Sequence, residues 1–353
     1  MNFIKRIAYH PLIIKLTHWE YWPFTVVYGP IYLYWLWLGA KSRSFFFVNA
    51  ANPSITNGGF LMESKHEIYN LIPKQYYPQT VFLQMGTPLS QALQMMQAAG
   101  LQYPFIAKPD IGGRGRMVSK IKNERELDAC IKTVKENFLL QEMVHWQQEV
   151  GIFYYRFPNE KNGHISGIVA KEFLTVTGDG KHTMLELLMQ EKRFVLQIPE
   201  LKKVYETRLQ QVLQAGQSEL LVPYGNHARG SKFIDASHEI NDALTQNIDA
   251  VCKQIPGFYF GRMDVKFNTW EELKQGKNFS IIELNGSGSE PTHIYDPKHS
   301  IFFAWKEIIR HWNLLQRISA LNHKLHDVPY MSFKEGMNML KADTEHLKKT
   351  AED

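Results

Sequence analysis

Two short segments in the C-terminal half carry acidic and amide side chains inside runs that are otherwise apolar. GRMDVK contains Arg262 and Asp264, and IIELNG contains Glu283 and Asn285. Because side chains alternate across a strand, each of these pairs would share one face of a strand. Carboxylate and amide oxygens from neighbouring strands suit Mg²⁺ that carries ATP phosphates, and Arg262 would stabilise charge on a transferred phosphoryl group. A surface salt bridge is the alternative, but it does not explain carboxylates inside apolar runs.

A lysine and a glycine-rich turn earlier in the chain are candidates for phosphate binding. FIAKPDIGGRG places Lys108 at the end of a predicted strand, followed by a turn with Gly112, Gly113, Arg114 and Gly115. Glycines let main-chain amides approach anionic oxygens that a Cβ would exclude, and a lysine adds a point charge. The segment matches neither common phosphate-loop pattern, so a plain hairpin tip remains the alternative.

The connection after the next predicted strand is a candidate for nucleoside binding. It contains Glu142 and His145, and Glu149 follows before another strand begins. A backbone hinge offers amide and carbonyl groups to an adenine edge, and a carboxylate can accept both ribose hydroxyls. A solvated connection with incidental glutamates is the alternative. Lys171 ends a later strand, either as a phosphate contact or as an edge residue that extends to solvent.

Strand and helix patterns alternate from residue 44 onward and predict an α/β fold. The length of 353 residues allows two or three domain-sized units. The two cysteines, Cys130 and Cys252, form no CxxC pair, which argues against a disulfide framework or structural zinc and fits a reducing cytoplasm. The net charge of +5 comes without a dense basic block, so nucleic-acid binding has little support.

The N-terminus carries an uncharged aromatic stretch, from Tyr21 to Ala40, between Lys15 and Lys41. Twenty residues reach the length of a membrane span, but two prolines interrupt the stretch, and seven of its members are Tyr or Trp, which prefer the water–lipid boundary. We therefore expect an interfacial helix pair, with peripheral membrane contact through residues 19–43. A true span and a cover helix on the protein's own core are the alternatives.

Taken in their order along the chain, these segments resemble the ATP-grasp superfamily, particularly its D-alanine:D-alanine ligase-like and cyanophycin-synthetase-like members. The resemblance covers about residues 95 to 320. It rests on IAKPDIGGRG, LLQEMVHWQQEVG, GRMDVKF and IIELNGSGS, with the turn TGDGKHT and the segment GNHARG. The short unit before this region departs from the family, so the acceptor pocket is unfamiliar; Glu63, Ser64 and Lys65 could line it or form a plain helix start.

The resemblance implies an α/β (α+β) ATP-grasp fold in which two subdomains clasp ATP. The implied division is an aromatic helical segment at 1–43, a short α/β unit at 44–88, an ATP-grasp domain at 89–325 and a polar tail at 326–353. Within the ATP-grasp domain, residues 89–141 would form a lid and residues 142–325 the catalytic subdomain.

The resemblance also implies roles for individual residues. Lys108 and Lys171 would contact ATP phosphates under a closing loop of Gly112, Gly113, Arg114 and Gly115, while Glu142, the His145 backbone and Glu149 would hold the nucleoside. Asp264, Glu283 and Asn285 would bind Mg²⁺, with Mn²⁺ as a substitute, and catalysis would fall to Arg262, Lys171 and Arg229. Substrate contacts would come from Lys181, His227, Ser287 and Ser289.

The implied activity is a ligase that activates a carboxylate as an acyl phosphate and joins it to an amine. Its partners would be small-molecule carboxylates and amines, without nucleic acid, in the cytoplasm or at the inner face of the membrane. Two alternatives keep the same nucleotide site: a kinase that phosphorylates a small alcohol, and an inactive ATP-binding module on a membrane surface.

Overall fold

Two antiparallel sheets with flanking helices form the framework of the protein. The computed structural model describes residues 8–113, 117–222, 225 and 230–349. The strands are β1 (Thr80–Leu83), β2 (Phe105–Pro109), β3 (Ser119–Ile121), β4 (Phe138–Glu142), β5 (Gln148–Tyr155), β6 (His164–Glu172), β7 (Leu174–Thr177), β8 (Ser218–Val222), β9 (Lys232–Asp235), β10 (Phe260–Phe267) and β11 (Phe279–Asn285).

The helices lie before, between and after these strands. They are α1 (Pro11–Thr17), α2 (Phe24–Tyr28), α3 (Tyr32–Ser42), α4 (Lys65–Leu71), α5 (Leu89–Ala99), α6 (Glu124–Thr133), α7 (Met184–Leu188), α8 (Lys192–Val195), α9 (Ile198–Tyr205), α10 (Asp242–Cys252), α11 (Trp270–Lys274), α12 (Ile301–Leu325) and α13 (Phe333–Lys349). The mixture of helices and antiparallel sheets agrees with the predicted α/β (α+β) class.

The first sheet has the strand order β1-β4-β2-β3, and every neighbouring pair is antiparallel. Helices α5 and α6 cover one face, where Met96 and Leu127 pack into the same core as Phe105. Helix α6 begins at Glu124, because the Asn123 side chain accepts the backbone N–H of Glu126 and caps the first turn. The packed face fixes β2 and β4, which carry Lys108 and Gln141 on their other side.

The second sheet has the order β11-β10-β5-β6-β9, again antiparallel throughout. Alternation along β10 sends Met263 and Val265 into the main core with α10 and α11, whereas Phe260 packs in the cluster that contains α12. Arg262 and Asp264 therefore share a face with Phe260, as the sequence pattern predicts. A third, two-stranded sheet pairs β7 with β8.

The N-terminal segment contains three short helices, of which α2 and α3 pack on α12 and α1 contacts α8. Val27, Tyr28 and Ile31 are buried in one cluster with Ile308, and the Trp305 indole donates a hydrogen bond to the carbonyl of Val27 at 2.7 Å. In the part of the chain that the structure describes, every helix is too short or too polar to cross a membrane. The inner side of the segment thus packs on the protein's own core, as in the cover-helix alternative.

The short unit before the predicted ATP-grasp domain and the polar tail after it both contain elements that pack on the rest of the protein. Residues 44–88 contribute strand β1 to the first sheet, and residues 326–353 include helix α13. In this helix Gly336 and Met339 are buried, and a Cβ at Gly336 would collide with the Phe46 ring. The polar tail therefore contains a packed helix.

Candidate nucleotide-binding site

A cavity of about 880 Å³ is lined by both large sheets. The connection after β4 and the N-terminal segment complete its wall. The charged and polar residues that reach it from the two sheets are Lys108, Lys120, Gln141, Glu142, Glu149, Lys171, Arg262, Asp264, Lys266 and Glu283. The cavity therefore brings together candidates that lie more than 150 positions apart in the sequence.

A buried cluster of four charged side chains forms the floor of this cavity. The Lys171 ammonium donates to Glu149 Oε1 at 2.7 Å and to Asp264 Oδ2 at 2.8 Å. Arg262 Nε donates to the other oxygen, Asp264 Oδ1, at 3.0 Å. Sheet register explains the arrangement: Asp264 lies opposite Gly151, and a Cβ at Gly151 would come within 3.1 Å of Asp264 Oδ1.

The charges in this cluster determine one another's protonation. Burial opposes the charge of Lys171, but the carboxylates of Asp264 and Glu149 outweigh it and raise the pKa above the ordinary lysine value. Burial alone would raise the pKa of Asp264, yet Arg262 and Lys171 hold it below the ordinary range. Lys171 and Asp264 are therefore both charged near neutral pH.

Asp264 and Glu283 are register partners on β10 and β11, and so are Arg262 and Asn285. Both carboxylates border the cavity. The Asn285 amide nitrogen is buried and has no hydrogen-bond partner among the described residues. Within those residues no group of three His, Cys, Asp or Glu side chains is arranged to hold a metal ion. A cation would therefore have two carboxylates, supplemented by an amide or by phosphate oxygens.

Lys108 approaches the same region from the first sheet. Its ammonium donates to the Gln141 side chain at 2.8 Å, to the Tyr69 hydroxyl at 2.9 Å and to the Ile282 carbonyl at 3.0 Å. Burial lowers the pKa of Lys108 to about 8, although the charges of Glu283 and Asp264 oppose the shift. Lys108 therefore links the end of β2 to β11 across the cavity.

The predicted nucleoside hinge borders the cavity along residues 142–147. Glu142 and His145 are exposed on it, and a Glu142 oxygen accepts the backbone N–H of Gln79 at 3.3 Å. Phe173 and Ile282 add apolar surface to the wall of the cavity. Glu149 also lines the cavity, where its Oε1 accepts from Lys171 at 2.7 Å, and its contact with the ribose stays a prediction.

The glycine-rich turn lies at the edge of the cavity, and Gly112 and Gly113 line it. Gly112 adopts φ 109°, a conformation that favours glycine. Lys65, from the start of α4, donates to the carbonyls of Asp110 and Gly112, and burial lowers its pKa. Arg114 and Gly115 lie outside the described residues.

The predicted substrate contacts that the structure describes, Lys181, Ser287 and Ser289, do not line this cavity. Lys181 is exposed in the turn before α7, where its backbone N–H donates to the Asp179 side chain at 2.9 Å and closes an Asx turn. Ser289 donates to the Asn285 carbonyl at 2.8 Å, and the buried Ser287 hydroxyl has no partner among the described residues; neither serine lines the cavity. His227 and Arg229 fall outside the described residues.

Sequence reasoning missed one side of the cavity. Glu20, Trp22, Phe24 and Val27 of the N-terminal segment line it, together with Glu290. Their aromatic and uncharged pattern is equally compatible with contact to lipid or protein, so the sequence alone carries no signal for this wall.

No protein-family model and no curated protein matches the chain. Solved structures resemble parts of it. A bifunctional glutathione synthetase from Pasteurella multocida is 15% identical with a TM-score of 0.38, covering 73% of this chain and 38% of that one. The VanG D-Ala:D-Ser ligase from Enterococcus faecalis is also 15% identical, with a TM-score of 0.42 and coverages of 74% and 62%.

A third similar structure is a carboxyaminoimidazole ribonucleotide synthase from Aspergillus clavatus in complex with ATP. It is 11% identical with a TM-score of 0.39, and the match covers 70% of this chain and 51% of that one. The chain thus spans less than two thirds of each of these three proteins. The similarity to these structures therefore assigns no role to an individual residue, and such roles are argued from the geometry of the cavity. The predicted α/β (α+β) class is confirmed, with two antiparallel sheets lining one charged cavity.

Proposed function

We propose that the protein is an ATP- and Mg²⁺-dependent ligase that activates a carboxylate as an acyl phosphate and joins it to an amine. One observation carries the proposal. Lys108 from the first sheet and Lys171, Arg262, Asp264 and Glu283 from the second border a single cavity. Paired cations beside paired carboxylates suit a triphosphate that is bound together with a divalent ion.

In this proposal the triphosphate lies between the two sheets. Lys108 and Lys171 supply fixed positive charge for its oxygens, and the turn with Gly112 and Gly113 offers backbone amides. The adenine lies against the backbone of residues 142–147, opposite the apolar surface of Phe173. A volume of about 880 Å³ accommodates a nucleotide and a small substrate together.

The donor set at β10 and β11 fits Mg²⁺, because the two carboxylates provide hard oxygen ligands. Asp264 and Glu283 would hold the ion, and Asn285 is the third proposed ligand. When bound, the ion would neutralise phosphate charge during phosphoryl transfer. Mn²⁺ shares the preference for oxygen ligands and would substitute.

The proposed reaction has two steps. A carboxylate oxygen of the first substrate attacks the γ-phosphorus of ATP, the bond from that phosphorus to the bridging oxygen breaks, and ADP leaves. The amine nitrogen then attacks the acyl carbon, inorganic phosphate leaves with the C–O electron pair, and the nitrogen gives up a proton to become an amide. Arg262 balances the charge that spreads over the transferred group in the first step.

Other parts of the proposal depend on the sequence resemblance. Arg229 is a further proposed catalytic cation, and the proposed substrate contacts are Lys181, His227, Ser287 and Ser289. The partners are small carboxylates and amines, and the proposed location is the cytoplasm, at or near the inner face of the membrane. The sequence-based division into lid and catalytic subdomain remains part of the proposal.

The test is product analysis with purified full-length protein, ATP, Mg²⁺ and a small-molecule extract, followed by mass spectrometry. A ligase produces an amide whose mass is the sum of both substrates minus water, with free phosphate in equal amount. A phosphorylated product without free phosphate would instead identify a kinase. If the protein bound ATP but did not hydrolyse or transfer its phosphate, it would be an inactive ATP-binding module.

A further inference from the structure

The outer side of the N-terminal helices is an exposed apolar surface. On α3, Leu33 is 76% exposed and Trp37 is 51% exposed, and Leu36 lies beside them at helical spacing on the same face. Similar exposed side chains on neighbouring elements are Leu12, Leu16, Phe24, Val26, Tyr32 and Phe302. These nine residues are called the apolar face. Apolar residues concentrated in this way mark an interaction surface.

Phe302 lies on α12 and is connected to the N-terminal helices through Trp305. Phe302 packs edge-on against Trp305 at 5.6 Å between ring centroids, and Trp305 in turn binds the backbone of Val27. Phe24 stacks on Tyr28 at 4.1 Å. The first turn of α12 and helix α2 therefore meet at the surface.

The exposed charge on the segment is positive. Among its described residues, 8–43, the basic side chains of Lys15, Lys41 and Arg43 are exposed. The acidic residue there, Glu20, is 5% exposed and forms an ion pair with Arg193 at 3.1 Å. Exposed Trp and Tyr side chains flanked by lysine and arginine are the composition that binds the headgroup region of anionic bilayers.

The apolar face borders the mouth of the cavity. Phe24 is 61% exposed and also lines the cavity, next to Trp22 and Val27. A surface that lies against the apolar face would therefore also lie against the cavity mouth.

We propose that the apolar face docks on an anionic membrane surface and holds the cavity mouth at the lipid boundary. The contact is peripheral, with aromatic and leucine side chains in the headgroup region and the basic side chains on lipid phosphates. It does not depend on the ligase chemistry, because it involves the outer side of helices whose inner side packs on α12.

The test is co-sedimentation of the full-length protein with vesicles of phosphatidylglycerol and, separately, of phosphatidylcholine. We expect binding to phosphatidylglycerol that weakens as salt rises, and at least about tenfold weaker binding to phosphatidylcholine. The double variant Leu33→Glu/Trp37→Glu should reduce the vesicle-bound fraction at least about tenfold. Lys15→Glu/Lys41→Glu should reduce binding to phosphatidylglycerol alone.

Val204→Glu is the matched control, because Val204 is 73% exposed on α9, outside the apolar face. It should bind vesicles like the parent. Thermal unfolding of each variant verifies the fold. Absence of vesicle binding by the parent would overturn the proposal, and so would an equal loss in Val204→Glu. If light scattering showed a dimer that Leu33→Glu/Trp37→Glu dissociates, the face would instead be an interface between two copies of the chain.

Discussion

Asp264 and Glu283 lie directly opposite each other on antiparallel strands β10 and β11. Side chains opposite each other in such a pair project from the same face of the sheet. Two carboxylates this close would repel each other in isolation, but Lys171 and Arg262 both bind Asp264. In the proposed function, this balance of charge is what lets the cluster accept a cation together with phosphate.

Glu283→Gln removes one carboxylate while preserving the size of the side chain. If Glu283 holds Mg²⁺ with ATP, we expect Mg²⁺-dependent ATP turnover to fall by about a hundredfold or more. Phosphate release, measured across a Mg²⁺ titration, checks this. Glu271→Gln, at an exposed position on α11, is the control and should match the parent. Parental turnover in Glu283→Gln would remove this residue from the metal site.

Lys108 makes stability depend on pH in the alkaline range. Its pKa of about 8 in the folded protein is below the value of about 10.4 for an unfolded lysine. Between these values the unfolded state binds more protons, so the contribution of Lys108 to the unfolding free energy rises with pH, by about 3 kcal/mol at most. Lys108→Met removes the ionisable group, so the unfolding free energy of this variant should lack this rise with pH.

Urea unfolding of the parent and of Lys108→Met at pH 7 to 10 measures the difference. Lys277→Met, at an exposed position, should keep the parental slope. A parental pH dependence in Lys108→Met would mean that Lys108 titrates as an ordinary surface lysine.

Lys171→Met leaves two buried carboxylates, Glu149 and Asp264, without their shared cation. Breaking a buried ion pair by removing one partner costs about 3 to 5 kcal/mol, and we expect the unfolding free energy to fall by that amount. Denaturant unfolding checks it. Adding Glu149→Gln to Lys171→Met should restore part of the loss, because one unpaired charge disappears. A further fall in the double variant would contradict the pairing.

Gly59 lies where two backbone segments meet. A Cβ there would come within 2.7 Å of the Gly286 Cα, directly after β11. Gly59→Ala should therefore destabilise the protein through both backbone strain and overpacking, the latter by about 1 to 3 kcal/mol. Gly86→Ala is the control, because Gly86 also has positive φ but open space around it. Equal losses of stability in denaturant unfolding would exclude the close contact as a cause.

The sequence predicted the strands that carry Arg262, Asp264, Glu283 and Asn285 because alternation is a local property. It did not predict the partner of Glu149. That pairing depends on β5 lying beside β6, where Val150 faces Ala170 and so brings the preceding Glu149 opposite Lys171. Strand order is non-local, and a single sequence does not contain it.

Tyr69 and Gln141 were missed for a related reason. Both bind Lys108, but Tyr69 comes from a helix in the preceding unit and Gln141 from a buried strand position. Neither residue type is distinctive for phosphate chemistry. The aromatic N-terminus was ambiguous because its inner side satisfies the protein core and its outer side has the composition of a lipid-binding helix.

The N-terminal helices also constrain the order of folding. The Trp19 indole binds the His299 carbonyl, 280 positions away, and Trp305 reaches back 278 positions to Val27. During synthesis the aromatic segment is made well before α12, the helix it packs on. Until α12 is made, both sides of the segment are exposed, and transiently exposed apolar surface of this kind is prone to aggregation.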